Sequence, residues 1–183
     1  MSAVPTIAAH PPKHDGYIEN PAEVDNPILA FFLDYWRQKR GASPLPARID
    51  IQIRDFPQYL RWVVLLDAEE ELSEFRFRVV GSSVARYFLS DATGTTLSQA
   101  YAHAGRDLTE LTRMILQRTC KRRVPTRLTG PQSTWKGTFF PNWDALYLPI
   151  SEDRQMANAI LCVFTFNYEE FKRTGDMAAF RLF

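Results

Sequence analysis

The sequence predicts an α+β fold in which a one-layer, five-stranded antiparallel sheet carries helices on one face and an N-terminal amphipathic helix is added to it. Three observations lead there. The stretches WVVLLDA and FRFRVV, separated by the acidic EEELSE, read as a hairpin between residues 62 and 80. The segment GSSVARYF follows at once as a helix start, so the hairpin precedes the helical middle of the chain. More strand-like stretches come after that middle. A sheet closed around a short helical segment in this order leaves a hollow between the two layers, and a hollow suits sensing more than catalysis.

Each element has its own reason. Residues 1–25 hold Pro5, Pro11, Pro12 and Pro21 among small polar residues and no apolar period, which predicts a disordered tail. Residues 26–60 form an N-terminal helical extension. In it Asn26 is the N-cap and Pro27 the first helical residue, Ile28, Phe31, Phe32, Tyr35 and Trp36 recur at helical spacing, and Arg37, Lys39, Arg40 and Gly41 close the helix. Pro44 and Pro46 mark a linker, with a short helix expected over residues 54–60.

The sheet domain is expected over residues 61–168 and a C-terminal helix and tail over residues 169–183. In the second strand Phe75, Phe77 and Val79 alternate with Arg76 and Arg78, one face dry and the other wet. A long helix over residues 106–119 places Leu108, Leu111 and Ile115 on one face with Met114 beside them. Strands are then expected over 122–128, 134–140, 145–150 and 159–166, and a terminal helix over 168–174.

The same stretches carry a resemblance. Asp34-Tyr35-Trp36-Arg37 through Arg40-Gly41, then Pro46-Ala47-Arg48-Ile49-Asp50, then Leu65-Leu66-Asp67, Phe75 to Ser82 and Asp91-Ala92-Thr93-Gly94 follow the order YWR..RG, P.R.DI, LLD, FRYRLVGT and D.TG. In this pattern the chain resembles a bacterial family of stand-alone PAS-like domains, with Phe77 where the family has Tyr and Ser82 where it has Thr. The likeness runs over about residues 26–166. It implies a PAS-type sensory or regulatory domain and brings no catalytic residues with it.

Composition narrows the alternatives. The chain has 183 residues, 45% of them hydrophobic, enough for one domain with a sizeable core. A net charge of +1 supplies no global field to draw nucleic acid or an anionic membrane. Cys120 and Cys162 form no CxxC pair, no signal peptide is recognisable and no apolar run reaches membrane-spanning length, so a cytoplasmic location is expected.

Phosphate loops, HExxH, GxSxG and metal-loop carboxylate series are missing, and no enzyme activity is expected. His103 is the one histidine outside the predicted tail and the sole candidate for general base work or for axial ligation of haem; nothing else in the sequence specifies a cofactor. The helix motif of light-sensing flavin domains is missing around Cys120. Tyr101, His103, Trp135 and Tyr147 are the candidate polar groups of a ligand cavity.

Further features concern charge and partner surfaces. The basic stretch Arg118, Lys121, Arg122, Arg123 and Arg127 either holds an anionic partner, with Cys120 activated beside it, or complements a helix end and guards a sheet edge. The acidic turn of Asp67, Glu69, Glu70, Glu71 and Glu74 reads as solvated. Phe32 and Trp36 on the N-terminal helix, and Arg76 and Arg78 on the second strand, are candidate interaction residues. The apolar stripe of that helix, widened by Leu29 and Leu33, suggests packing on the sheet or on a second copy, hence a homodimer.

The function expected is a sensory module that binds a small molecule, a signalling protein, or both, with output delivered in trans. The alternative is a small α+β-cone isomerase or dehydratase using a cavity near His103. Element order argues against it, because cones begin with helices whereas the hairpin here comes first. A nucleic-acid reader lacks both net charge and a recognition helix.

Overall fold

The computed structural model describes residues 16–87, 91–102, 106–135 and 138–181. Its centre is a six-stranded antiparallel sheet of β1 (Gly16–Glu19), β2 (Val63–Glu69), β3 (Glu74–Val80), β4 (Thr126–Gly130), β7 (Trp143–Ile150) and β8 (Ala159–Phe166), in the order β1-β4-β7-β8-β2-β3. Among the described residues the strands β5 (Ser133–Trp135) and β6 (Thr138–Phe140) pair only with each other. The helices are α1 (Pro27–Arg40), α2 (Ser82–Tyr87), α3 (Leu97–Ala100), α4 (Arg106–Arg122) and α5 (Tyr168–Thr174).

The hairpin that anchors the expected architecture is present: β2 pairs with β3 and, on its other side, with β8. The five strands β4-β7-β8-β2-β3 supply the expected sheet, and the sixth comes from a place assigned to a disordered tail. Gly16–Glu19 pairs with Thr126–Thr129 of β4 and covers its open edge. Its outward Tyr17 and Ile18 leave no apolar period to read, so only the pairing reveals it. In the stretch 134–140, expected as one strand of the sheet, the described residues belong to β5 and β6, which pair with each other in a separate two-stranded sheet.

Helix α1 begins and ends as its cap residues dictate. The Asn26 carboxamide oxygen accepts from the backbone N–H groups of Ile28 and Leu29 at 3.1 and 3.4 Å, and Gly41, at φ 55°, closes the helix by donating to the Arg37 carbonyl. The stretch expected as one short helix before β2 is two tight turns, Ile53–Asp55 and Pro57–Trp62. Pro57 breaks the first from the second because it has no N–H to continue the ladder.

Successive side chains on a strand point to opposite faces. On β7 and β8 the pairs Asp144–Thr165, Leu146–Val163 and Leu148–Leu161 share one face, and Ala145–Phe164 and Tyr147–Cys162 share the other. Helix α1 covers the first face and α3 with α4 the second. The helices therefore lie on both sides of the sheet: α3 and α4 share one face, as expected, and α1 takes the outside of the sheet, one of the two destinations open to it. The reason lies in α1 itself: Ile28, Leu29, Phe32, Leu33 and Trp36 are buried, a stripe wide enough to seal a sheet face, and a fully buried Phe side chain contributes roughly 1.5–3 kcal/mol relative to exposure. Among the described residues no helix is long and apolar enough to cross a membrane.

Candidate functional site

The inner layer encloses a cavity between α3, α4 and the sheet. Val64, Leu66 and Phe77 line it from the first hairpin, Tyr147, Cys162 and Phe164 from β7 and β8, and Leu97, Tyr101, Thr112 and Leu116 from the helices. Tyr101 and Tyr147, two of the four cavity candidates, therefore meet in one hollow. His103 lies outside the described residues; Trp135 belongs to β5, apart from the main sheet, and its side chain is likewise outside the described groups.

The hollow is about 20 Å³. A single water needs ~10–15 Å³ and organic ligands occupy pockets of roughly 300–1,000 Å³. The side chains have thus filled the space. The Tyr147 and Phe164 rings stand edge to face at 5.8 Å, and the Tyr101 hydroxyl is hydrogen-bonded to the Thr112 side chain. Helix α4 approaches closely because its buried face is built from Thr109, Ile115, Leu116, Thr119 and Cys120, and the Thr119 hydroxyl donates to that of Thr126 at 3.1 Å. The face expected to be buried, Leu108, Leu111 and Ile115 with Met114, is rotated: Leu108 and Leu111 are half-buried and Met114 is exposed.

Burial sets the chemistry of this layer. It raises the Tyr101 and Tyr147 phenols above their ordinary range, with the neighbouring Cys162 adding to the effect, and it raises the Cys162 thiol as well. Cys120, which one of the two readings of the basic stretch would activate, is buried and its thiol is pushed up to about 12. Phenols and thiols so held stay protonated at neutral pH and are poor nucleophiles. Among the described residues no group of three or more His, Cys, Asp or Glu side chains is placed to hold a metal ion.

The outer face is built in the opposite way, from paired charges. Asp67 receives Arg48 on one side and the Arg78 Nε, at 2.6 Å, on the other. Burial works against its charge, but the two guanidinium groups outweigh it and hold the carboxyl below its usual range. The Arg48 backbone donates to the Ser151 carbonyl at 2.6 Å, Arg154 reaches Asp50 at 2.5 Å, and the Tyr35 hydroxyl donates to Asp55 at 2.9 Å. The Trp36 indole donates to the Pro149 carbonyl at 2.7 Å. Arg76 grips Glu69 through two nitrogens, at 2.5 and 2.9 Å, and also the Gly94 carbonyl.

These are the residues of the sequence pattern, and they act as clamps. Gly81, where the FRYRLVGT-like strand ends, is required by contact: a Cβ there would sit 2.3 Å from the Leu60 carbonyl oxygen. Asp91 turns the chain by accepting from the backbone and hydroxyl of Thr93, which brings residues 94–96 against the edge of β3. Phe32 and Trp36, expected to meet a partner, are buried within the chain against β7 and β8, so the apolar stripe of α1 is spent internally. Arg76 and Arg78 are likewise engaged by Glu69 and Asp67.

One buried cluster had no counterpart in the sequence reading. Asp144, fully buried, accepts from Arg127 Nε and Nη2, both at 2.9 Å, and from the Asn26 amide at 3.1 Å. The same amide donates to Thr165 at 2.8 Å, and Arg127 Nη2 reaches the Tyr168 hydroxyl at 3.1 Å and Asp25 at 2.8 Å. Burial raises the Asp144 carboxyl above the ordinary range, and Arg127 with Asn26 only partly offsets it. The clue was a lone carboxylate in the apolar strand WDALYLPI. The basic stretch is accordingly divided: Arg127 belongs to this outer cluster, whereas Arg118 and Arg122 hold Glu19 of β1 at 2.6 and 3.5 Å.

A search of curated proteins finds no match. Among solved structures the chain is similar to the PAS domain from Bordetella pertussis BvgS, at 14% sequence identity over 66% of this chain and 88% of that one, with a TM-score of 0.47. The family model for the PAS domain matches residues 24–165, from the start of α1 to the end of β8. The chain belongs to the PAS domain family, a family of sensory and signalling modules.

Proposed function

We propose that this chain is a regulatory module that delivers its output in trans through contact with a signalling protein, its inner cavity staying closed while it does so. The observation that carries the reading is the cavity volume of about 20 Å³, which has room for a water and none for an organic effector. Entry of a small molecule would require α3 and α4 to move away from the sheet.

Protein contact has a surface to use. Ile49, 80% exposed, and Ile53 lie on residues 48–55, and Met156, 68% exposed, lies on the turn between β7 and β8. The Ala47–Ser151 bridge and the Arg154–Asp50 pair tie these two segments together, so they present as one unit. Exposed large apolar side chains on a braced surface favour association with another protein.

Co-purification of the full chain with its partner from its own cells tests the reading. The wild type and Thr112→Ile, which fills the cavity, should retain the same partner, while the double variant Ile49→Asp, Met156→Asp should lose it. Loss on filling the cavity, with retention by the surface variant, would reverse the assignment.

A further inference from the structure

A second hollow, about 660 Å³ and open to solvent, lies beside the buried cluster, between the β1–β4 edge of the sheet and the start of α5. Its size falls within the ~300–1,000 Å³ of small-molecule sites. Gly130 shapes the floor, because a Cβ there would stand 2.2 Å from the Trp143 indole. Ile18 and Pro131 add apolar wall. Two cations in its lining, Arg127 and Lys172, are fixed to one aromatic ring: the Arg127 guanidinium carbon and Lys172 Nζ are 5.5 and 4.8 Å from the Tyr168 ring centre.

The Arg127 side chain is only 11% exposed, and its Nε and Nη2 are committed to Asp144, Asp25 and Tyr168. No hydrogen bond from its Nη1 is found among the described residues. Asn142 also lines the hollow; its oxygen accepts from the Glu169 backbone. The carboxylates that face the cations here are surface groups. Asp25, 64% exposed, meets Arg127 at 2.8 Å, and Glu169 meets Lys172 at 2.5 Å. Asp144, by contrast, is fully buried behind Arg127 and fixes the guanidinium plane from the far side.

From this geometry we propose that the hollow binds a small organic carboxylate with an apolar body. The ligand carboxylate takes the position of Asp25 on Arg127, gains Lys172 and the Asn142 amide, and lays its body along Trp143, Ile18 and Pro131. Asp25 is a competitor built into the chain. It directly precedes Asn26, the N-cap of α1, so its displacement is transmitted to the start of that helix. The site is independent of the inner cavity and of the protein-contact surface.

Benzoate serves as the probe, titrated into the isotope-labelled full chain at constant ionic strength, with benzamide as its neutral counterpart. Benzoate should give saturable NMR shifts at Gly130, Asn142 and Glu169 and at residues 26–29 of α1, and benzamide should not. Asp25→Asn, which removes the competing charge, should tighten benzoate at least threefold, and Lys172→Ala should weaken it at least threefold. Both side chains are at the surface, and unchanged spectra elsewhere certify the fold. The proposal is overturned if benzoate shifts do not saturate, if benzamide matches them, or if Asp25→Asn leaves binding unchanged or weaker.

Discussion

Along β7, Asp144, Leu146 and Leu148 face α1, and Ala145 and Tyr147 face α4. Helix α1 brings an N-cap amide that joins Asp144 and Thr165, an indole donor for Pro149 and a full apolar stripe. Helix α4 brings threonines and a cysteine, small enough to let two tyrosine rings close the remaining space. The outer side is directional and charged, the inner side apolar and close-packed. Directional contacts hold α1 to one register, whereas the inner layer is held by the close packing of apolar side chains.

This contrast breaks first at the buried cluster. Asp144→Ala should destabilise the fold by about 3–5 kcal/mol, because it strands the largely buried Arg127 and the Asn26 amide. Urea denaturation followed by circular dichroism measures it; a loss under 1 kcal/mol would mean that solvent already compensates the outer cluster. Arg48→Ala tests a clamp nearer the surface. Asp67 keeps Arg78, and the pair is partly solvated, so the expected loss is about 1 kcal/mol.

Acid distinguishes the carboxylates of the outer side from one another. Asp67 is held below its ordinary range in the folded state, so its contribution is present above about pH 4 and is lost as pH falls through the folded value. Asp153 behaves likewise, with a folded value of about 2 set by the Ser151 hydroxyl and the Met156 and Gln155 amides. Asp144 has the opposite sign: its raised pKa favours the protonated form, and that contribution disappears as pH rises through the folded value. The melting temperature of Asp67→Asn should therefore fall less steeply between pH 5 and 2 than that of the wild type. An equal slope would remove Asp67 from the clamp.

The smallest effect is expected inside. No hydrogen bond from the Tyr147 hydroxyl is found among the described residues, so Tyr147→Phe should change stability by no more than about 0.5 kcal/mol. Tyr35→Phe, which removes a hydroxyl bonded to Asp55 and to the Gln52 backbone, should cost about 1 kcal/mol. Equal losses from the two would mean that the inner layer is as directional as the outer.

Much of this was legible because local chemistry is strong where it was read. The Asn26 and Gly41 caps delimit α1, and the alternation in FRFRVV assigns β3 its two faces. What escaped has physical causes. Residues 16–19 become a strand through pairing with β4, and pairing leaves no mark on a four-residue segment with exposed side chains. Helix α4 turns threonines inward because Thr126 meets Thr119, a contact across seven residues that a hydrophobic count ranks below the nearby leucines. The apolar stripe of α1 was read correctly, but its destination was left open between the sheet and a second copy, since periodicity says that a face is buried and not against what. Of the candidate site, Tyr101 and Tyr147 were brought together, yet the volume between them depends on packing that no residue type discloses.

Native mass spectrometry of the full chain taken directly from its cells tests the closed inner layer most directly. The polypeptide mass should appear without any organic molecule that Thr112→Ile removes and Lys172→Ala retains. An adduct with that pattern of retention and loss would place a ligand beneath the sheet and contradict the account.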